Sequence, residues 1–149
     1  MISGAQWVPR AFFDRFYRAR IEQAAADGKN FVVGAADGVD AFAQEMLTAL
    51  CPDRVTVYDK GARDGRRCDG FALRNGFASY PERDAAMLAA CSGNVIAVLP
   101  QMGGACSGVL PLVLPSCTPD TLATLRAASE LYDAVLFAQV AAVYAKHYA

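Results

Sequence analysis

Arg83 stands in the first turn of an expected helix, in the run Tyr80-Pro81-Glu82-Arg83-Asp84-Ala85-Ala86-Met87. An arginine fork matches phosphate or carboxylate oxygens. A cation in a helix's first turn also opposes the helix dipole, unless an anion sits beside it. Glu82 and Asp84, in contrast, suit a helix start whatever else they do. Two glycine-rich loops follow short apolar runs. Phe31-Val32-Val33 leads into Gly34-Ala35-Ala36-Asp37-Gly38-Val39-Asp40. Val95-Ile96-Ala97-Val98-Leu99 leads into Pro100-Gln101-Met102-Gly103-Gly104-Ala105-Cys106-Ser107-Gly108. Glycine at a strand's carboxyl end permits a sharp turn and brings bare N–H groups close to a ligand. A helix starting there favours an anion. The chemistry implied is a cleft for a phosphate-bearing small molecule. Its expected contacts are Gly4, Gly34, Asp37, Gly38, Asp40, Gly103, Gly104, Ser107 and Gly108.

Other chemistries find less support. Neither G-x-G-x-x-G nor G-x-x-x-x-G-K-[ST] occurs, so the standard nucleotide fingerprints are absent. The cysteines, at 51, 68, 91, 106 and 117, are odd in number and lack C-x-x-C spacing, and His147 is the single histidine. No metal or cofactor is therefore expected, and the thiols read as reduced cysteines of a cytoplasmic protein. Cys106 at a helix start could serve as a thiolate nucleophile, but no histidine lies near it as base.

The elements that must position these residues alternate. Residues 1–3 read as a first strand. Helical spacing of Phe13, Phe16, Tyr17, Ile21 and Ala24 predicts a helix over 10–27, stopped by Asp27-Gly28. A second strand covers 29–33. Phe42, Ala43, Met46, Leu47 and Leu50 make the apolar stripe of a helix ended by Pro52. Val55-Thr56-Val57-Tyr58 is a third strand. Residues 59–79 show neither period and carry mixed charge, including Lys60, Arg63, Arg66, Arg67 and Arg74; they are expected to form a loop, either a solvated surface or a lid closing over phosphate. A helix over 81–91 and a fourth strand over 94–99 follow. Residues 107–114 read either as a short helix capped by Ser107 or as an edge strand over 109–114. Thr118 caps a C-terminal helical segment over 118–148. Its half 134–144 is apolar nearly all round, as in a buried helix or a homodimer interface.

The expected fold is therefore α/β, a Rossmann-like three-layer arrangement in one domain over 1–149. A mostly parallel sheet of four to five strands, order 3-2-1-4, would carry extra C-terminal helices. In such sheets the ligand sits at the strands' carboxyl ends where the order reverses, here between strands one and four. A chain of 149 residues with 54% apolar and 19% charged residues can bury a core and is not a disordered tract. A net charge of −1 argues against extensive nucleic-acid binding. No apolar run reaches about 18 residues, so no membrane span is expected. Residues 1–4 do not read as part of a signal peptide.

Over roughly residues 1–108 the combination resembles the SLOG group of Rossmann-like proteins. That group includes the Lonely Guy (lysine-decarboxylase-like) phosphoribohydrolases. The 34–40 loop is similar to the family's first glycine loop. Glu82-Arg83-Asp84-Ala85-Ala86-Met87 resembles its Glu-Arg-Lys-x-x-Met helix. Val95 to Leu99 with Pro100 and Gly103-Gly104 resembles its strand and Pro-Gly-Gly loop, with Gln101 and Met102 extra; Ser107 stands near its Gly-Thr. The resemblance implies a nucleotide or ribose-phosphate cleft and a catalytic role for Arg83. The family's second key residue, a glutamate just after Gly-Thr, has no counterpart in Ser107-Gly108-Val109-Leu110-Pro111. Glu82, Asp37 and Asp40 are the carboxylates available to replace it, and Glu82 joins Arg83 as the candidate catalytic residue.

The expectation is a sensor or degenerate enzyme that binds a nucleotide-like small molecule. The rival is a hydrolase that cleaves the N-glycosidic bond of nucleoside monophosphates. An interaction domain whose ancestral site has decayed is a further alternative.

Overall fold

The computed structural model describes residues 1–6, 8–61, 70–91, 95–99 and 112–121. The second glycine loop, with Gly103, Gly104, Cys106, Ser107 and Gly108, lies outside them, as does the expected C-terminal helical segment beyond Thr121. The architecture is mixed α/β. Strands β1 (Ile2–Ser3), β2 (Phe31–Gly34), β3 (Val55–Tyr58), β4 (Ala72–Arg74), β5 (Val95–Leu99) and β6 (Leu112–Cys117) alternate with α1 (Arg10–Phe16), α2 (Arg18–Ala26), α3 (Val39–Leu50) and α4 (Tyr80–Ala90). A 3-10 turn, Pro52–Arg54, follows α3 where Pro52 ends it. The strands pair in the orders β1-β5-β6 and β2-β3-β4. All pairs are parallel except β5–β6.

Strand alternation sorts the apolar residues onto two faces. Phe31, Val33, Val55 and Val57 pack with Phe12, Phe13, Ile21, Val39, Ala43 and Leu47 from α1, α2 and α3. Tyr58, Val95 and Ala97 pack instead with Met87 of α4. Val55 to Tyr58 is buried on both faces except at half-exposed Thr56, the pattern of a covered parallel strand.

Three elements differ from the sequence expectation. The helix over 10–27 is divided at Tyr17, which has φ −111° and ψ −41°. There the Arg20 guanidinium takes the carbonyl of Phe16 (2.7 Å). Within 59–79 a strand, β4, pairs with β3 from Thr56↔Ala72 to Tyr58↔Arg74. All three of its residues are exposed, so no apolar alternation marks it. Of the two readings of 107–114, the strand prevails for the described part, shifted to 112–117. Its pairing slips between Val95↔Cys117 and Ala97↔Leu114, so Pro115 and Ser116 share the place opposite Ile96. A bulge at the end of a sheet order is where a strand tolerates proline, which has no N–H for the ladder.

Tyr17 is fully buried and explains the division at its position. In the β1–β5 pair, Ile96 N–H donates to the carbonyl of Met1. The next rung would join Val98 N–H to Ser3. Instead Tyr17 enters that rung: its hydroxyl accepts from Val98 N–H (2.9 Å) and donates to the carbonyl of Ser3 (2.8 Å). Tyr17→Phe should remove this bridge and leave the buried Val98 N–H without its partner, at a cost of about 1–3 kcal/mol. Thermal unfolding should show a midpoint lower by about 3–10 °C. An unchanged midpoint would contradict the bridging role.

Candidate functional site

The described polar groups gather at the carboxyl ends of β2 and β3. Gly34, the last residue of β2, leaves room for no side chain. A Cβ there would run into the Asp40 carboxylate, whose Cγ is 3.1 Å away, and would stand 3.4 Å from Nη1 of Arg83. Two helices thus deliver side chains to one point. Asp40 is in the first turn of α3, where a carboxylate favours the dipole. Its Oδ2 accepts from Ala36 N–H (3.3 Å). One turn on, fully buried Gln44 donates Nε2 to the carbonyl of Gly34 (2.7 Å). The strand end and helix start are tied at both positions.

Arg83 comes from α4. Ser79 caps that helix by accepting from Glu82 N–H (3.2 Å), and Glu82 accepts from Ala78 N–H (2.8 Å). These two bonds, to Ser79 and to the residue before it, fix the first turn and so set the direction of Arg83. Arg83 is buried, its side chain 9% exposed. Its Nε and Nη2 donate to Oδ1 of Asp84 (3.0 and 2.7 Å). Nη1 is left on the Gly34 side. The Asp84 carboxylate offsets the unfavourable placement of a cation at a helix start. Two cations lie near the ring of half-exposed Tyr80, Arg83 Cζ at 5.1 Å and Lys60 Nζ at 5.2 Å from its centroid.

Asp59 follows β3 directly. Its N–H donates to the carbonyl of Arg74 (2.8 Å), extending the β3–β4 ladder by one step. Gly34 is paired with Tyr58, so the neighbour of Asp59 across the sheet is the start of the 34–40 loop. The Asp59 side chain is 1% exposed, and neither carboxylate oxygen has a hydrogen-bond partner among the described residues.

The structure brings Gly34, Asp40 and Arg83 together. It places Glu82 elsewhere, exposed and bonded to the cap backbone. Asp37 is exposed in the loop. Gly38, with φ +73°, is packed where a side chain would strike the carbonyls of Ala5 and Gln6. The first amide of α3, Val39 N–H, is already bonded to Ala5 (3.2 Å). Gly4 lies against the Tyr17 hydroxyl and Val39. Gly4 and Gly38 therefore meet side chains and backbone of the chain itself. Between β1 and β5, where the ligand was expected, the rung is filled by Tyr17.

Sequence reasoning singled out neither Asp59, Tyr80 nor Asp84 as a site residue. Asp59 had one signal, a carboxylate directly after a buried apolar strand, which was submerged in the charged run behind it. Cys51 and Cys91 are not in disulfides. Among the described residues no group of three or more histidine, cysteine or acidic side chains could hold a metal. No described helix is long and apolar enough to cross a membrane. No family model, curated protein or solved structure matches the chain.

The two kinds of residue at this edge should separate in stability measurements. Gly34→Ala forces a methyl group against the Asp40 carboxylate and should cost about 1–3 kcal/mol. Glu82→Ala removes half of an exposed cap and should cost about 0.5–1 kcal/mol. Urea unfolding midpoints measure both, and the reverse ranking would contradict the packing described at Gly34.

Proposed function

We propose that the chain binds a nucleotide or nucleotide-derived ribose-phosphate ligand at the carboxyl edge of β2 and β3, as a sensor or degenerate enzyme. The observation that carries this reading is the buried Arg83 guanidinium, with Nη1 left over Gly34 beside Asp40. Lys60 and Arg74 stand at the carboxyl ends of β3 and β4, so three cations follow one sheet edge. That placement suits an anion, which the carboxylates alone would repel. Half-exposed Tyr80 next to Arg83 offers an aromatic surface at the same edge. The likeness to the SLOG group supplies the ligand class.

The corresponding fold is Rossmann-like with three layers and the two sheets continuous. The contact of β1 with β2, and of α3 with both, supports joining them there. The order through the first five strands is then β4-β3-β2-β1-β5, which contains the expected 3-2-1-4 arrangement.

Hydrolysis of the N-glycosidic bond is the second reading, favoured by the buried Asp40 carboxylate beside Arg83. In that reaction water adds to the sugar's anomeric carbon, the bond to the base breaks, and the base nitrogen takes the proton. A carboxylate there would stabilise positive charge on the sugar or orient the water.

A panel of nucleoside monophosphates distinguishes the readings. A member present at about 100 times its Kd should stabilise the protein by about 2.7 kcal/mol, read as a higher melting midpoint. Arg83→Ala should remove that rise while the variant stays folded. A full rise in Arg83→Ala would contradict the site. Release of free base from any member, lost in Asp40→Asn, would establish the hydrolase instead.

A further inference from the structure

We infer that Asp59 is the acceptor for a pair of sugar hydroxyls, which makes the site select ribose over 2-deoxyribose. This rests on the ribose-phosphate reading above. A buried carboxylate with no donor is costly to the fold. Among the described residues its two oxygens are the buried side-chain oxygen or nitrogen atoms that lack a partner. Such an exception calls for a donor from outside the described residues. Two oxygens on one carbon, both without a partner among the described residues, match two hydroxyls on adjacent carbons, each giving one hydrogen bond.

The position fits the rest of the ligand. Asp59 is one step past Tyr58, the register partner of Gly34. Adjacent strands are about 5 Å apart, so Asp59 is one strand away from the point that Arg83 and Asp40 reach. The like charge of Asp59 repels a phosphate. The phosphate therefore lies toward Arg83 and the sugar toward Asp59. At 1% exposure the contact is dry once made, and a hydroxyl missing from the ligand leaves an oxygen buried and unpaired. That loss, to a charged acceptor, corresponds to about a tenfold to hundredfold weaker binding. Burial also means that ligand entry must uncover the carboxylate.

The test is calorimetric titration of the full chain with ribose 5-phosphate, 2-deoxyribose 5-phosphate and inorganic phosphate. Wild type, Asp59→Asn and Arg83→Ala are compared. Wild type should bind ribose 5-phosphate at least about ten times more tightly than the 2-deoxy compound. Asp59→Asn should lose that preference yet bind inorganic phosphate as wild type does. Without ligand it should melt at least about 2 °C higher, because a buried carboxylate with no hydrogen-bond partner among the described residues is gone. A preference that survives in Asp59→Asn, or is absent from wild type, overturns the role of Asp59. If Arg83→Ala still weakens phosphate binding, the site itself stands. If no sugar phosphate binds, or Arg83→Ala changes nothing, the ribose-phosphate reading and the role of Asp59 fall together.

Discussion

One hydroxyl replaces one rung of the sheet, and much of the described structure is arranged around it. Tyr17 bridges Val98 N–H and the Ser3 carbonyl, so β1 and β5 part at their carboxyl ends without stranding either group. Reaching that rung takes Tyr17 inward from the middle of a helical stretch, and the stretch divides there into α1 and α2. Phe13 stacks on its ring with centroids 5.4 Å apart. Gly4 has no side chain because the hydroxyl and Val39 occupy the space. The β1–α1 connection then lies close enough for Ala5 to accept from the first amide of α3.

This arrangement bears on where the proposed ligand would sit. Open α/β sheets hold ligands where neighbouring strands separate at their carboxyl ends. Here that opening, between β1 and β5, is bridged by the chain's own tyrosine, and the start of α3 is bonded to Ala5. The neighbouring edge of β2 and β3 differs. Gly34 admits side chains from α3 and α4, Arg83 keeps one guanidinium nitrogen on that side, and Asp59 keeps a bare carboxylate. Arg83 is costly to bury, and its bond to Asp84 offsets only part of its hydrogen-bonding capacity. A cation and carboxylates held this way suit a ligand with an anionic end and a hydroxyl-rich end.

Much of the frame was legible. Short apolar runs marked β2, β3 and β5 because covered parallel strands are apolar on both faces. The stripe from Phe42 to Leu50 marked α3, and Pro52 its end. β4 was not legible, since an exposed edge strand is held by backbone bonds and needs no apolar alternation. The division at Tyr17 was hidden because helical spacing continues on both sides of it. Arg83 was singled out from its conflict with the helix dipole, and Gly34 and Asp40 from the glycine loop; the structure brings these three together. Glu82 lies apart from them: the spacing Ser79-x-x-Glu82 is a capping signature, and its carboxylate accepts from Ala78 N–H. Asp59 was hidden because a carboxylate in a charged run looks solvated until its burial is known.

The central claim is that the Arg83 guanidinium meets the ligand's anionic end. Its Nε–H cross-peak in a nitrogen–proton correlation spectrum, assigned by its loss in Arg83→Lys, reports on that group alone. On titration with ribose 5-phosphate the account predicts a saturable shift of this peak, because an anion arriving at Nη1 changes the field at Nε while Nε stays bonded to Asp84. A peak that stays in place while the ligand demonstrably binds would contradict it.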